Sequence, residues 1–584
     1  MQLGRLAPSR LSASIGSRTL TELTFQLAIF IGVSPHPKHP GPATILFHLM
    51  LQVRIRRLIV SERWDMGERG DDQPRLIRSR ALTWTVLALT LTTALLLIAP
   101  IWRATLRVGI NNNEGWNALL AAQWMAGKPL YPAFDALSAN NYPPLSFYAV
   151  GLLGRWLGDY LFAGRLLAFI GLFTAAVAVA AVVKGLTGRT RAALLSALLL
   201  LGYNASVNRR YVGIDDPQWL GHAIMLLGLL AFLASEKRRW LLLVSAGLML
   251  VAGFVKHLLL PIPLAATLWL LLYRREVLAL WLATCGVMLV SALALCFAAN
   301  GWGFVEGVFR DARVWSLSSA SLFSARWFAS ALPLLLLGAF ALPSAWRSAE
   351  GRLLVYYALI SAALAIYVLG GAGIDMNAIF DLEIALCLII GLAIGEMENG
   401  RPGSVQPGSR ISPYLSTAAC WGIGLVLVPG LLLPLRLLEV RDLWRGSELV
   451  PDSVRVSRSV STMLGSRADI ARGKATVPHE VAEVIDLLAK QPGPVACETL
   501  SVCYWAGKAF EIDFFMVGQK ITLGLMDPRV VTARLRTHYF AAIQTEAEDG
   551  RSFRLPPDIN RELADNYEVV RSGSAGAVLV PRTP

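Results

Sequence analysis

The sequence predicts a polytopic α-helical membrane protein that ends in a small α/β domain. Of the 584 residues, 55% are hydrophobic and 16% are charged, whereas an average soluble protein has about 25% charged residues. Apolar runs recur along the chain, for example at residues 82–98, 161–183 and 277–298. Each is close to the roughly 20 residues that a helix needs to cross a bilayer. By this criterion we count about eleven candidate spans from residue 82 onward.

Basic residues cluster in every second loop between these runs. The clusters contain Arg75, Arg78, Arg80, Lys184, Arg189, Arg191, Lys237, Arg238, Arg239, Arg274, Arg275, Arg347, Arg352, Arg401 and Arg410. The positive-inside rule then predicts a cytoplasmic N-terminus in a cell (inner) membrane, with outer loops at 102–160, 203–217, 299–326 and 370–378. Because the net charge of +14 lies largely in these short loops, it indicates membrane topology and not nucleic-acid binding.

We divide the chain into three segments. Residues 1–65 are a poorly defined N-terminal extension. We favour the interpretation that the start of the sequence is over-extended, and the alternative is a targeting segment. Residues 66–435 form the transmembrane domain, and an odd number of spans places residues 436–584 outside. There the pattern predicts helices at 478–490, 528–537 and 557–565 and strands at 494–497, 567–571 and 575–580, which is typical of a small α/β domain.

The six cysteines are too few for a disulfide framework. Cys285, Cys296, Cys387 and Cys420 fall in apolar runs, where a thiol usually packs as a small core residue. Cys497 and Cys503 can pair if their domain faces an oxidising compartment. The C-terminal segment has no glycine-rich phosphate loop, zinc-spaced cysteines or Ser-His-Asp arrangement.

The most distinctive loop covers residues 109–148, within the first outer loop at 102–160. Asn113 fits an N-cap, Glu114 lies in the following first turn, and Gly127 fits the end of a short interfacial helix. Trp116, Leu120 and Trp124 share one face of that helix. Glu114 is either an acid that favours the positive end of a helix or a general base just outside the membrane.

The second outer loop contains two acids and two cations. Asp216 before Pro217 has the pattern of a helix cap, which leaves Asp215 as the acid without a structural explanation. Arg209 and Arg210 stand on the side where few cations are expected, and they could hold a phosphate.

Ionisable residues also occur where two apolar runs meet outside. Lys256 and His257 are either a snorkelling lysine beside an exposed histidine or ligands of a phosphate. Weaker signals follow: Arg310, Asp311 and Arg313 in one outer loop, and Asp375, Asn377 and Asp381 at the mouth of a later span. Such charge clusters are more often solvated faces or helix caps.

Four motifs occur together along the chain: the acid in the first outer loop, Gly-Lys-Pro-Leu-Tyr at 127–131, Asn-Tyr-Pro-Pro-Leu at 141–145 and Asp-Asp-Pro-Gln at 215–218. In combination they resemble the GT-C superfamily of membrane glycosyltransferases. The similarity covers roughly residues 82–395, and its style is that of aminoarabinose transferases and protein O-mannosyltransferases. The motifs are moderately specific for the superfamily and hardly specific for the substrate.

This resemblance implies inverting transfer of a sugar from a polyprenyl-phosphate donor to an acceptor at the outer face. No cofactor beyond the lipid-linked donor is implied, and a divalent metal stays open. The acceptor is a lipid, a glycan or a protein, and nucleic acid is not expected. The implied catalytic acids are Glu114 and Asp215, and the implied phosphate ligands are Arg209, Arg210, Lys256 and His257. Substrate contacts are expected from Asn111, Asn113, Trp116, Tyr131, Asn141, Tyr142, Asp216 and Asn377.

The chain departs from the superfamily pattern at one point, because relatives often carry Asp near the position of Asn111. An amide cannot act as a base, so Glu114, Asp135 or Asp215 must serve, or the protein is weak or inactive. Two other classes therefore stay open: a transporter or lipid-carrier flippase, and an inactive ligand-binding homologue. Transporters tend to show inverted repeats and polar residues at the membrane midplane, whereas here no repeat is visible and polar residues gather at one face.

Overall fold

A computed structural model describes residues 73–107, 109–110, 112–399, 479–573 and 575–583. The chain divides into two units, Met1–Gln73 and Pro74–Pro584, and all elements below lie in the second unit, apart from the first residue of α1. The predicted N-terminal extension, Cys420 and the basic cluster at Arg401 and Arg410 lie outside the described residues.

Twelve α-helices occupy the described part of the chain up to residue 399. They are α1 (Gln73–Ala104), α2 (Asn112–Met125), α3 (Leu145–Leu157), α4 (Tyr160–Thr187), α5 (Thr190–Ser206), α6 (Gln218–Ala234), α7 (Leu241–Val255), α8 (Pro261–Tyr273), α9 (Arg275–Val305), α10 (Leu317–Ala345), α11 (Ala349–Val368) and α12 (Phe380–Glu398). Among the described residues, six helices are long and apolar enough to cross a membrane, and four shorter ones, α3, α6, α7 and α8, are apolar. The multi-pass helical architecture is confirmed, while the count of about eleven spans stays a prediction.

Helix α12 is the centre of the bundle. Every residue from position 380 to position 395 is buried, although the helix is as apolar as one that faces lipid. It packs against α10, α11, α5 and α4. Gly391 allows this approach, since a Cβ there would lie 2.7 Å from Cβ of Ser196. In contrast, α9 is apolar all round and mostly exposed, as expected of a helix at the lipid-facing rim.

The basic loops predicted to be cytoplasmic contact one another or nearby helix ends. Arg191 at the start of α5 pairs with Glu398 at the end of α12, with 3.3 Å between Nη1 and Oε1. Arg274 before α9 approaches Glu236 after α6 at 3.8 Å. The loops predicted to be outside lie at the other ends of these helices and face the C-terminal domain.

The C-terminal domain combines five helices with one four-stranded sheet. Its elements are α13 (His479–Ala489), β1 (Val495–Cys497), α14 (Leu500–Trp505), α15 (Phe514–Thr522), α16 (Arg529–Arg536), β2 (Ala542–Thr545), α17 (Pro557–Asn566), β3 (Tyr567–Gly573) and β4 (Gly576–Pro581). The strand order is β1-β2-β4-β3, with β1 and β2 parallel and the other two pairs antiparallel. The predicted helices and strands all occur, while α14, α15 and β2 were not predicted. Strand β2 is buried along its whole length and therefore lacks the alternation that marks a half-buried strand.

Cys497 and Cys503 form a disulfide that joins the end of β1 to α14, with Cα atoms 5.8 Å apart. Helix α14 also docks on the first outer loop. A Cβ at Gly115 would lie 2.0 Å from the backbone nitrogen of Ser501, so only glycine permits α2 and α14 to approach this closely. Lys520 of α15 adds a second attachment, because its Nζ lies 3.1 Å from Asp311 and 2.9 Å from the carbonyl oxygen of Phe134.

Candidate functional site

A chamber of about 450 Å³ lies where the outer loops meet the C-terminal domain. Its charged and polar lining residues come from seven separate segments of the chain. They are Asn113, Tyr142, Arg210, Tyr211, Gln218, Lys256, Arg313, Ser361, Asp375, Asn377, Asp381, Glu546 and Arg554. The chamber therefore brings together the first, second and later outer loops that the sequence grouped on one side.

The same chamber has an apolar wall. Leu258, Pro261, Phe323, Leu364 and Val368 line it, and they belong to the membrane helices α8, α10 and α11 or to the loop that enters α8. Cationic groups and a lipid-like wall thus bound one cavity, which suits a ligand with an anionic head and an apolar tail.

Lys256 is buried at the end of α7 and lines the chamber. Its Nζ lies 3.0 Å from Oδ1 of Asp216 and 5.2 Å from the centre of the Tyr142 ring. Asp216 also accepts a hydrogen bond from the backbone N–H of Gln218 at 2.8 Å, but the N-cap of α6 is Pro217, so the prediction that Asp216 is the N-cap was wrong by one residue. Asn377 donates to the same carboxylate at 3.5 Å. The buried lysine is thereby held in position by one acid.

The second outer loop is held by a cation that the sequence did not single out. Arg103, near the end of α1, donates from Nη2 to the carbonyl oxygens of Arg209 at 2.9 Å and Val212 at 3.0 Å. The side chain of Arg210 lines the chamber, whereas that of Arg209 is not among the lining residues. Of the two predicted phosphate-binding arginines, the structure places only Arg210 on the chamber wall.

His257 lies beside the chamber without lining it. Its ring stacks edge-on against Tyr142, with 6.0 Å between the centroids. Burial, together with the nearby charges of Lys256 and Arg313, lowers the pKa of His257 to about 4. The imidazole is therefore neutral at neutral pH and can offer a hydrogen bond but no positive charge.

Glu114 is completely buried and tied to Arg165 of α4. Nε of Arg165 lies 2.8 Å from Oε1 and Nη2 lies 2.9 Å from Oε2. The carboxylate also accepts from the backbone N–H groups of Ile110 at 2.8 Å and Asp215 at 3.2 Å. Glu114 does not line the chamber. Asp135, another acid considered from the sequence, is exposed and is also absent from the lining.

Asp215 lies in a small separate pocket behind the chamber wall. Its carboxyl packs on Gly164 so closely that a Cβ there would lie 1.9 Å from Oδ1. Burial, with the neighbouring charges of Glu114 and Asp216, raises the pKa of Asp215 well above its usual range. Asp215 is thus enclosed by packing and does not line the chamber.

Three predicted substrate-binding residues of the first outer loop lie at cavities. Asn113 and Tyr142 line the chamber, and Asn141 lines a neighbouring pocket. Because α2 begins at Asn112, Asn113 is inside the first helical turn, and the prediction that it is the N-cap was wrong. Asn111 lies outside the described residues.

The two other predicted contacts of this loop are buried in its packing. Nε1 of Trp116 donates to the carbonyl oxygen of Ala139 at 3.0 Å, and its ring contacts Tyr142 at 5.0 Å between centroids. Tyr131 donates from its hydroxyl to the carbonyl oxygen of Tyr142 at 2.8 Å. Trp116 also reaches the neighbouring pocket, whereas Tyr131 supports the loop from behind.

The acids on the chamber wall are Asp375, Asp381 and Glu546. Asp375 accepts from the hydroxyl of Tyr211 at 2.8 Å, and within the described part of the chain it forms no salt bridge. Asp381 accepts from the hydroxyl of Tyr357 at 2.8 Å. The sequence singled out Asp375 and Asp381 as weak signals, and it missed Glu546.

The C-terminal domain also bounds a side pocket of about 100 Å³. This pocket shares a wall with the chamber, formed by Asn113, Tyr142, Arg313, Gly373 and Arg554. Glu498, Asp513 and residues 514–516 complete its lining on the C-terminal side. Sequence reasoning missed all of these C-terminal residues, since no motif marks them.

Among the described residues, no group of three or more His, Cys, Asp and Glu side chains is arranged to hold a metal ion. The acids of the chamber are distributed over three elements and engage tyrosine or arginine partners.

These features define a class of protein: a multi-pass helical membrane protein whose outer loops and C-terminal sheet domain enclose a chamber. No protein-family model matches the chain, and no curated protein matches it either.

Solved structures of similar shape do exist. One is ArnT from Cupriavidus metallidurans in the apo state, with a TM-score of 0.52 and 14% identity, covering 84% of this chain and 97% of that chain. ArnT from the same organism bound to undecaprenyl phosphate gives a TM-score of 0.49 and 16% identity, with the same coverage. The Archaeoglobus fulgidus oligosaccharyltransferase complex with Zn and sulfate gives a TM-score of 0.43 and 13% identity, covering 78% of this chain and 68% of that chain. The comparison with apo ArnT shows that the chain has this fold, in agreement with the fold that the resemblance implied.

Proposed function

We propose that the protein transfers a sugar from a polyprenyl-phosphate-linked donor to an acceptor at the outer face of the cell membrane. One observation carries the proposal: a 450 Å³ chamber that has both cations and an apolar wall supplied by membrane helices. A polyprenyl phosphate needs fixed positive charge for its head group and an apolar path for its chain. The ArnT-like fold supports the same class of reaction by analogy.

The donor phosphate is assigned to Lys256 and Arg210. Both line the chamber, and Lys256 is held rigidly by Asp216. As the bond between the sugar and the phosphate oxygen breaks, negative charge develops on the phosphate. Positioned cations in a water-poor site stabilise such charge more effectively than mobile ones in water.

Asp375 is assigned as the base that accepts the proton of the acceptor hydroxyl. It lines the chamber, it is only half buried, and its one side-chain donor is Tyr211. Glu114 is proposed as a positioning residue, because four donors already occupy its two oxygens. Asp215 is assigned to the same supporting layer.

The reaction is then an inverting displacement. The acceptor oxygen gives its proton to Asp375 and forms a bond to the anomeric carbon from the face opposite the phosphate. The bond between that carbon and the phosphate oxygen breaks, and polyprenyl phosphate leaves with the electron pair. No further cofactor is part of this proposal.

The chamber is assigned to the outer side of the inner membrane, with the N-terminus in the cytoplasm. The disulfide between Cys497 and Cys503 supports this orientation, because such bonds persist in oxidising compartments. The contacts among the basic loops at the other ends of the helices support it independently.

Lipid binding by the purified full-length protein tests the donor assignment. Undecaprenyl phosphate should bind to the wild type, and Arg210→Gln should weaken binding about 10-fold to 100-fold, the usual effect of losing a charge-assisted hydrogen bond. Arg189→Gln is the matched control, since Arg189 lies on the surface at the opposite end of the helices and donates to Asn399. Equal affinities for all three proteins would reject Arg210 as a phosphate ligand.

Transfer itself is measured in proteoliposomes that contain a polyprenyl-phosphate donor with a radiolabelled sugar and receive envelope extract as the acceptor source. A glycosyltransferase moves the label from the lipid to an acceptor. A flippase moves the labelled lipid between leaflets and leaves the label on it, and that result would replace the proposed function with the transporter class.

A further inference from the structure

Two arginines flank one phenylalanine ring at the wall between the chamber and the side pocket. The guanidinium carbon of Arg313 lies 5.5 Å from the centre of the Phe515 ring, and that of Arg554 lies 5.9 Å from it. Phe515 belongs to α15 of the C-terminal domain and rests on Gly373, where a Cβ would lie 2.5 Å from the ring. The C-terminal domain thus places one aromatic ring between a cation of its own and a cation of the membrane domain.

Arg313 has few partners for a half-buried cation. Its Nη1 donates to the carbonyl oxygen of Ala372 at 3.4 Å, and within the described part of the chain it forms no salt bridge. Arg554 approaches Glu546 at 3.4 Å and Glu498 at 3.8 Å. The two guanidinium groups therefore keep unused N–H donors at a wall shared by both cavities.

The acids that line the side pocket also have hydrogen-bond donors other than this pair of arginines. Glu498 accepts from the backbone N–H of Glu546 at 2.8 Å and from the hydroxyl of Ser552 at 2.7 Å. Asp513 accepts from the backbone N–H of Met516 at 3.0 Å. Burial also raises the pKa of Glu498 and that of Asp513, which favours their neutral forms.

Aromatic and amide side chains complete the pocket. Trp116 and Tyr142 offer ring faces and edges, and Asn113 and Asn141 offer amide donors and acceptors. Aromatic rings beside a few polar groups are the usual means by which a pocket orients a polar ligand that has an apolar face. A sugar ring has both properties.

We propose that the side pocket is the acceptor subsite and that Arg313 and Arg554 select an acceptor saccharide that carries a phosphate or carboxylate group. The assignment of this pocket to the acceptor rests on the proposed function. The preference for an anionic group rests on the two arginines and Phe515. The C-terminal domain then contributes half of the acceptor site. Its anion lies apart from the donor phosphate, which is assigned to Lys256 and Arg210.

Binding of a soluble probe tests this subsite separately from the donor site. Full-length protein is first saturated with undecaprenyl phosphate and then titrated with glucose 6-phosphate or, in parallel, with uncharged glucose. The wild type should bind the phosphorylated sugar more tightly than glucose. Arg313→Gln should weaken binding of glucose 6-phosphate at least about 10-fold and leave the affinity for undecaprenyl phosphate within about twofold. Arg313→Lys, which keeps the charge but loses the planar fork, should retain part of the affinity.

Arg326→Gln is the matched control. Arg326 also stacks on a phenylalanine, at 5.8 Å from the centre of Phe323, but it is exposed and does not line the side pocket. Equal binding of glucose and glucose 6-phosphate would overturn the proposal, as would an unchanged affinity in Arg313→Gln. Displacement of undecaprenyl phosphate by glucose 6-phosphate would also overturn it, because the anion would then occupy the donor site. Arg313-dependent binding in a protein with no affinity for undecaprenyl phosphate would support the anion subsite and reject the proposed donor.

Discussion

Glu114 and Arg165 form a two-pronged ion pair without solvent contact, with N–O distances of 2.8 Å and 2.9 Å. Glu114 stands in the first turn of α2, and Arg165 stands in α4. Arg165 also donates from Nη1 to the carbonyl oxygens of Ala104 at 3.2 Å and Leu106 at 2.6 Å, where α1 ends. The pair therefore fixes the first outer loop to two membrane helices.

Removing one partner of this pair should destabilise the protein. Glu114→Gln leaves the buried guanidinium without its counter-charge, and breaking a buried pair in this way costs about 3–5 kcal/mol. We expect a lower melting temperature in detergent and a reduced yield of folded protein. The double variant Glu114→Gln with Arg165→Met should be less unstable than the sum of the single variants, because it no longer buries an unpaired charge.

The same experiment separates positioning from catalysis. If Glu114→Gln melts like the wild type and still loses transfer activity, Glu114 is the base and its role as a positioning residue is wrong. Arg165→Met is a second test of the same point. If the pair only holds the loop in place, this variant should lose stability and transfer activity in parallel.

Asp375→Asn should lower the transfer rate by about 10²-fold to 10⁴-fold, the usual contribution of a general base. The amide keeps the size of the side chain, but its single oxygen can accept either from Tyr211 or from the backbone N–H of Met376, whereas the carboxylate accepts from both. Losing one such hydrogen bond costs about 1 kcal/mol, so the melting temperature should fall only slightly, far less than the rate. The measurement is label transfer at saturating donor. Asp135→Asn is the control, as Asp135 is an exposed acid away from the chamber. Wild-type activity in Asp375→Asn would shift the base to another chamber acid, with Glu546 the first to be tested.

Much of the fold could be predicted from the sequence, because the length of an apolar run and the charge of a loop are properties of short segments and need no tertiary contacts to be recognised. The apolar runs at 82–98, 161–183 and 277–298 coincide with α1, α4 and α9. In the C-terminal domain, the amphipathic pattern at 478–490 becomes α13, and the apolar run at 575–580 becomes β4. Helix α15 was missed although its sequence carries a helix signal, because Asp513 caps it by accepting from the backbone N–H of Met516 and its apolar residues share one face. Its place in the fold depends on tertiary contacts such as that of Lys520 with Asp311.

The candidate site was harder to predict, since a sequence lists charges but not the directions in which they point. Glu114 has the carboxylate that a general base needs, but it is neutralised by Arg165, which is 51 residues away in a largely apolar helix. An arginine in such a helix is costly unless it is paired, so Arg165 was the signal that could have been found. Arg554 had no comparable signal, because its place at the chamber depends on the docking of the whole C-terminal domain.

Gly164→Ala should disturb the support of the second outer loop. A Cβ at this position would lie 1.9 Å from Oδ1 of Asp215, which is far too close for the carboxyl to stay in place. We expect the free energy of unfolding to fall by about 1–3 kcal/mol, the usual cost of overpacking. Because Asp216 is adjacent to Asp215, its contact with Lys256 should also be weakened. Thermal unfolding and undecaprenyl phosphate binding are the two measurements.

Gly185→Ala is the matched control on the same helix. Nothing lies within 4 Å of a Cβ at Gly185, so alanine should be neutral or slightly stabilising there, as in other helix interiors. Equal melting temperatures of the two alanine variants would contradict the proposal that Gly164 is needed for the packing of Asp215.

The orientation in the membrane can be tested at two exposed positions that lie at opposite ends of the helices. Asp135 is in the first outer loop, and Arg238 is in the loop after α6. A membrane-impermeant maleimide should label Asp135→Cys in intact spheroplasts, whereas Arg238→Cys should react only after the membrane is permeabilised. The wild type gives the background, since its Cys497 and Cys503 are joined as a disulfide and buried. Labelling of Arg238→Cys in intact spheroplasts would reverse the orientation, place the chamber in the cytoplasm and remove the oxidising environment that the disulfide requires.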